Sequence, residues 1–472
     1  MDNNFNDISE EQLIAQNRNT ADGEHYASHL SEVNKTNEVV STQDIFNDKG
    51  VLVCRKGSRI DHKVCERIRK HHLAAPLEQQ VRLHNTINSE ALTLEFRNVL
   101  NRYQDLNRIA ESWKLDKELE LIVRSCRLPA VIAQQLTVFK LRLPRHFEGV
   151  VAGAWIAMLL ARVHGSSRDF VNDLFIACLC RDLGLLHIDP GIVEKTDEYS
   201  AQEWRAIQSH TVVSYLIVKA IPALRLEVAQ AVLEHHERCH GLGYPVGKFE
   251  KDLSLMGRIV GLADTLQAIR IQRYGDDGRT LADLTPMLQV NASTFGQDLY
   301  RAAMEMLRRS NLTASGLKSS TESSHHIAER IYESWKSLSK LNTFLQTLLE
   351  LLHQLKASFK CQRLIHISTH IASFLFRSGL ISDDVGSWLE EFRNRLPEPA
   401  EEQELREMDL LIQELRWQLK DAHKAYDRFF QQYADIESPE MFTLRRMTDE
   451  LSRVLEETAA KSPLTTTHPA TC

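Results

Sequence analysis

The string Glu234-His235-His236-Glu237-Arg238-Cys239-His240-Gly241-Leu242-Gly243-Tyr244-Pro245 constrains this chain more than any other stretch. Two adjacent histidines between glutamates, followed by a Gly-rich turn, can place both imidazoles at the end of a helix and facing one cavity. Upstream stand His146, Arg181-Asp182-Leu183-Gly184 and His210; downstream, Asp264 closes the run Ile259-Val260-Gly261-Leu262-Ala263-Asp264. Neutral imidazoles and carboxylates are suitable ligands for iron, manganese or zinc, and a carboxylate can bridge two ions. The chemistry of this chain is therefore expected between about His146 and Arg273.

The remaining sequence frames that region. A length of 472 residues allows about three domains at roughly 150 residues each. Residues 1–37 are mostly Asn, Asp, Glu, Ser and Thr, too poor in apolar side chains to offset ordering entropy, and predict a floppy tail. Residues 38–85 predict a small α+β module. Its parts are a β-branched run to Asn47, a turn at Asp48-Lys49-Gly50, a second run Val51 to Cys54, a helix capped by Asp61 and reaching His72, and an extended segment to Leu83. Residues 86–285 read as helices broken at Pro129 and Pro144, with the motif core at 146–273.

Residues 286–461 read as a C-terminal helical extension. Ile327, Ile331, Trp335, Leu338, Leu341, Leu345, Leu348 and Leu352 keep three-and-four spacing, and further helices are expected at Glu401 to Tyr433 and Pro439 to Glu457. That stripe suits either a self-contained bundle or a surface for a homodimer or protein partner. The Thr- and Pro-rich end, 462–472, predicts a frayed tail. The fold class expected is mainly α.

Charge and cysteine usage exclude several functions. The formal charge of −7, from 57 Lys+Arg against 64 Asp+Glu, supplies no global field for nucleic acid or anionic lipid. Eight cysteines are too sparse for a disulfide scaffold, and Cys178-Leu179-Cys180 lies in an apolar run that reads as buried thiols. Met1 to Glu11 is polar and acidic where a secretory signal needs positive charge and then an apolar core. The most apolar stretch, Val150 to Ala161, is short of the roughly 20 residues that span a bilayer. A cytoplasmic protein with no membrane span is expected. His366 and His370 lie one helical turn apart, but no glutamate follows the first as a zinc protease needs, so they read as a plain helix face.

The stretch from about His146 to Arg273, just over a quarter of the chain, resembles the HD-GYP domain. This is a helical branch of the HD metal-dependent phosphohydrolases whose best-known substrate is the bacterial second messenger cyclic di-GMP. The resemblance rests on His235-His236-Glu237, the loop Gly241 to Pro245, Arg258-Ile259-Val260 leading to Ala263-Asp264, and Glu203-Trp204 to His210. It implies metal-ligand roles for His146, Asp182, His210, His235, His236 and Asp264, with Asp182 and His210 at the catalytic centre. It also implies one or two divalent ions, iron or manganese, and a cyclic dinucleotide partner. The residues themselves offer Arg181, Arg238 and Arg258 as phosphate forks, Tyr244 as a stacking face and Gly243 in the loop beside it as the expected binding set.

Departures from the family pattern qualify this. Arg181 stands where the family has the histidine of its His-Asp pair, Leu185 replaces a lysine, His240 replaces an aspartate before the first loop glycine, and Gln267 replaces an aspartate after Asp264. A permanent cation at 181 can pair with Asp182 or hold phosphate as a fixed charge. The expected function is a weakened cyclic di-GMP phosphodiesterase, the alternative a catalytically inactive signalling module that binds a cyclic dinucleotide or a protein.

Overall fold

The small polar N-terminus turns on a helix that composition hides. In the computed structural model the described residues are 24–195, 197, 199–274, 279–310, 312, 324–356, 361–392, 395, 397–433 and 438–459. Of the floppy tail expected over 1–37, residues 1–23 lie outside these, and the rest is corrected by the helix Glu24–Val33. Tyr26, Leu30 and Val33, spaced by four and three, share one face and are buried. They pack against the helices His62–Ile68 and Ala130–Arg142 and the turn Leu183–His187, where the Tyr26 and His187 rings stack at 5.1 Å. With Ala27 beside them, four apolar side chains on one face suffice because a ready-made apolar surface meets them.

The strands are short and antiparallel. Strand β1 (Val39–Ser41) pairs with β4 (Val81–Leu83), and β2 (Ile45–Phe46) forms a hairpin with β3 (Leu52–Cys54) across the expected turn. Asp61 caps the next helix, its Oδ1 accepting from the Val64 amide at 2.9 Å, but that helix ends at Ile68, short of His72.

Just before β4 lies Glu78, only 4 % exposed, with one carboxylate oxygen lacking a hydrogen-bond partner. Burial pushes its carboxyl up to about 7. A raised folded pKa means the folded state holds a proton the unfolded chain has released. Stability should therefore fall as pH rises from about 4.5 to 7 and level off above. Glu78→Gln is expected to remove that slope and to gain roughly 3 kcal/mol at pH 8, read by urea unfolding at several pH values. Equal pH profiles for both proteins would refute this.

Pro129 and Pro144 begin helices as well as breaking them. Ala130–Arg142 follows Pro129, and Pro144 opens the helix Pro144–His164, where its missing N–H costs no hydrogen bond. This helix has 21 residues, more than the apolar run inside it suggests, and is apolar enough to cross a membrane by length and composition alone. Yet 78 % of its most apolar window is buried inside the protein. It is a core post, packed by Arg168–Cys180, Leu255–Gln267 and Gln297–Arg309.

One continuous apolar core runs from Tyr26 to Leu307, so the N-terminal module and the central helices share it. A second core lies among Ser324–Leu355, Gln362–Ser378, Asp383–Glu391, Pro399–Gln432 and Pro439–Ala459. Ile327, Ile331, Leu338, Leu341, Leu345, Leu348 and Leu352 are all buried there. The stripe finds its partners within the chain, which favours the self-contained bundle over a dimer seam. The predicted tail at 462–472 lies outside the described residues.

Candidate metal centre

Four chain segments deliver one side chain each, or two, to a single buried point. Asp182 follows the helix Arg168–Cys180, His210 opens His210–Lys219, and His235 and His236 follow the last turn of Leu226–Glu234. One ligand atom from each of Asp182, His210, His235 and His236 lies within 4.8 Å of all the others, and all four residues are buried. Asp264, inside Leu255–Gln267, reaches the same region from the far side.

The hydrogen bonds decide which imidazole nitrogens are free. His210 Nδ1 lies 2.6 Å from the Ile207 carbonyl, and His235 Nδ1 lies 2.6 Å from the Val232 carbonyl. A carbonyl only accepts, so each Nδ1 carries the proton and each Nε2 presents a lone pair. Those two Nε2 atoms face each other at 3.3 Å, and each stands 3.6 Å from Asp182 Oδ1. Two lone pairs and a carboxylate oxygen converging in a buried space call for a cation between them. Neither His236 nitrogen nor Asp182 Oδ1 has a hydrogen-bond partner within the described residues, which a buried polar atom rarely tolerates.

The electrostatics agree. Burial, then the neighbouring His235, brings His210 down to about 4, and burial holds His236 well below the usual imidazole range, so both are neutral ligands. Burial alone would raise the Asp182 carboxyl, but Arg181 first, then His235 and His210, hold it well below the usual carboxylate range. The orphaned atoms and the three-nitrogen, one-carboxylate set fit a divalent metal ion, for which imidazole and carboxylate are ordinary ligands.

Arg181 lies beside this cluster and is 1 % exposed. Its Nε stands 3.0 Å from Asp264 Oδ1 and 3.1 Å from Asp182 Oδ2. Nη1 donates to the carbonyls of Cys178 and Val150, and Nη2 to that of Gly149. The guanidinium fits because residue 153 is glycine: a Cβ there would come within 3.0 Å of Nη1. With each nitrogen engaged inside the protein, Arg181 is not offered to a phosphate.

The other predicted residues divide. His146 is half-buried, edge-on to Phe139 at a centroid distance of 6.5 Å, and is not one of the four clustered ligands. Tyr244, half-buried, stacks on His236 at 4.7 Å and 24°. Gly243 lets its loop lie against the Glu237–Arg238 backbone, since a Cβ would sit 2.5 Å from the Arg238 nitrogen. Arg238 donates to the His235 and Glu237 carbonyls and covers the Phe295 ring. Arg258 is forked onto Asp298 at 2.8 and 2.9 Å and so ties two helices together. His240 leaves the cluster and packs on His370 of the C-terminal bundle, with ring centroids 4.2 Å apart.

Sequence reading assigned no role to the two glutamates that build the frame. Glu237 accepts from the Val246, Gly247 and Lys248 amides, and Glu234 from the Ser254 amide and hydroxyl and from Lys248 Nζ. The available signal was the segment just after the Gly-rich turn, whose run of amides at Val246, Gly247 and Lys248 needs an acceptor.

Residues 128–299 match the family model described as HD domain. This stretch is an HD domain, and through it the chain is distantly homologous to the HD-GYP cyclic dinucleotide phosphodiesterases. Among curated relatives, a cyclic di-GMP phosphodiesterase of Thermotoga maritima is 32% identical over 131 residues, which are 27% of this chain and 34% of that protein. The 3'3'-cGAMP-specific phosphodiesterase 3 of Vibrio cholerae is 33% identical over 97 residues, 21% of either chain. The chain thus spans about a third or less of the length of these relatives. Among solved structures, Bd1817, an HDG"Y"P protein from Bdellovibrio bacteriovorus, is 12% identical with a TM-score of 0.31, over 58% of this chain and 94% of that one.

Proposed function

We propose that this chain is a metal-dependent phosphodiesterase of the HD-GYP type, acting on cyclic di-GMP in the cytoplasm and slowed by Arg181. The observation that carries the reading is the inward pair of Nε2 lone pairs on His210 and His235, both aimed at Asp182 Oδ1. Asp182, His210, His235 and His236 would hold iron or manganese. When bound, such an ion supplies Lewis acidity toward a phosphoryl oxygen.

The protein's own residues do the rest. The carbonyls of Ile207 and Val232 keep both histidines in the ligating tautomer. Asp264 balances Arg181, so that the guanidinium does not take the whole of Asp182. Tyr244, held over His236 by the Glu237-anchored loop, offers its ring to a base of the substrate.

The second reading, a module that binds a cyclic dinucleotide without turnover, is favoured by one observation: half of the Asp182 carboxylate is engaged by Arg181. Purified full-length protein, loaded with Mn2+ or Fe2+ and given cyclic di-GMP or 3'3'-cGAMP, separates the two. Linear dinucleotide product is the expected result. Saturable binding with no product would establish the binding module, and neither binding nor product would sink both.

A further inference from the structure

We propose that Arg181 is a built-in cation, filling the position between Asp182 and Asp264 that a second divalent ion would otherwise take, so that the centre holds one ion. This rests on reading the four-residue cluster as an ion site, and goes beyond it by assigning the neighbouring position.

The arrangement of oxygen atoms is the reason. Asp182 and Asp264 are both buried, at 3 % and 1 % exposure, and the Arg181 Nε stands within 3.1 Å of an oxygen from each. Their other oxygens, Asp182 Oδ1 and Asp264 Oδ2, have no hydrogen-bond partner among the described residues. Each of these turns to imidazole nitrogen: Oδ1 to His210 and His235 at 3.6 Å, Oδ2 to His236 Nδ1 at 4.0 Å. The guanidinium therefore splits both carboxylates, keeping one oxygen of each and leaving one of each on the histidine side.

Remove the guanidinium and what remains is an oxygen-lined space. Its walls are two carboxylates and the carbonyls of Gly149, Val150 and Cys178, all now within hydrogen-bond reach of Arg181. Carboxylate and carbonyl oxygens are what manganese and magnesium select. Two buried carboxylates cannot both stay ionised without a counter-charge, so the emptied space has a strong demand for a cation. Gln267, whose amide donates to Asp264 Oδ1 at 3.1 Å, adds a neutral neighbour where a third acid would raise that demand further.

The test is metal content per chain after loading with Mn2+ and dialysis, together with melting temperature across a Mn2+ series. Wild type is expected to carry one ion. Arg181→Ala is expected to carry two, and its melting temperature to climb with Mn2+ above the range where wild type has levelled off. Arg181→Ala/Asp264→Asn keeps the wild-type charge, and is expected to fold without added metal and to carry one ion. Two ions on wild type would overturn the proposal, as would one ion on Arg181→Ala with no extra response to Mn2+. If Arg181→Ala does not fold without metal, the double variant decides: a double variant equally unable to fold shows that shape, not charge, is what Arg181 supplies. A wild type without any ion would refute the ion-site reading on which this proposal rests, whereas one ion on wild type and still one on Arg181→Ala would refute this proposal alone.

Discussion

His235→Ala is expected to strip the bound ion from the protein and to lower any phosphodiesterase activity at least 100-fold, while leaving the helical fold intact. Loss of a partner that merely orients a metal ligand costs about 10–100-fold in affinity or activity, and in the reading proposed above His235 is a ligand itself. Its Nε2 is one of three atoms facing the same point, the others being His210 Nε2 and Asp182 Oδ1. With alanine there, only His210, His236 and Asp182 remain. Metal analysis after dialysis and circular dichroism read the two halves of the expectation separately. His240→Ala is the comparison, because His240 lies five residues on but packs against His370, away from the cluster. Unchanged metal content in His235→Ala, or equal loss in His240→Ala, would show that the cluster is not where the ion is held.

Glu237→Ala is expected to destabilise the protein by about 3–5 kcal/mol and to release the loop that carries Tyr244. One buried carboxylate there satisfies the amides of Val246, Gly247 and Lys248 at 2.7 to 3.0 Å. Burial, its largest influence, raises the Glu237 carboxyl above its ordinary value, and the three amides oppose that. Hydrogen bonds to a charged group contribute roughly 1.5–3 kcal/mol each and do not add fully, while buried amides left without an acceptor cost more than the bonds themselves. Glu237→Gln keeps one acceptor oxygen and should lose about half as much. Denaturant unfolding measures the stability. Metal content should stay at the wild-type value in both variants, which separates an anchor of the loop from a ligand of the ion. A loss below about 1 kcal/mol in Glu237→Ala would mean the loop is held by something else.

These expectations differ in how far they could be read before the fold was known. The paired histidines, the Gly-rich turn and Asp264 are local patterns, and local patterns report helix ends and ligand chemistry directly. The helical periods at 399–432 and 439–459 were legible for the same reason, because a repeat of three and four survives in any environment. Glu24–Val33 was not legible, since its few buried apolar side chains, Tyr26, Ala27, Leu30 and Val33, are a weak signal until His62–Ile68 and Leu183–His187 supply a surface. The stripe from Ile327 to Leu352 announced that it would be covered, but not by what. Only the fold of helices after it, through Pro399–Gln432 and Pro439–Ala459, shows that the cover comes from the same chain.

The centre itself divides in the same way. By itself the sequence determined which groups are available: six ligand candidates, His146, Asp182, His210, His235, His236 and Asp264, and a guanidinium beside Asp182 that never loses its charge. It left open whether that cation would face a substrate or the interior. Tertiary structure decided this by bringing Asp264, far along the chain, to 3.0 Å from Arg181 and by burying the pair. A buried cation takes the nearest acceptors it can reach, because no water remains to solvate it, and those acceptors come from segments that only packing makes neighbours.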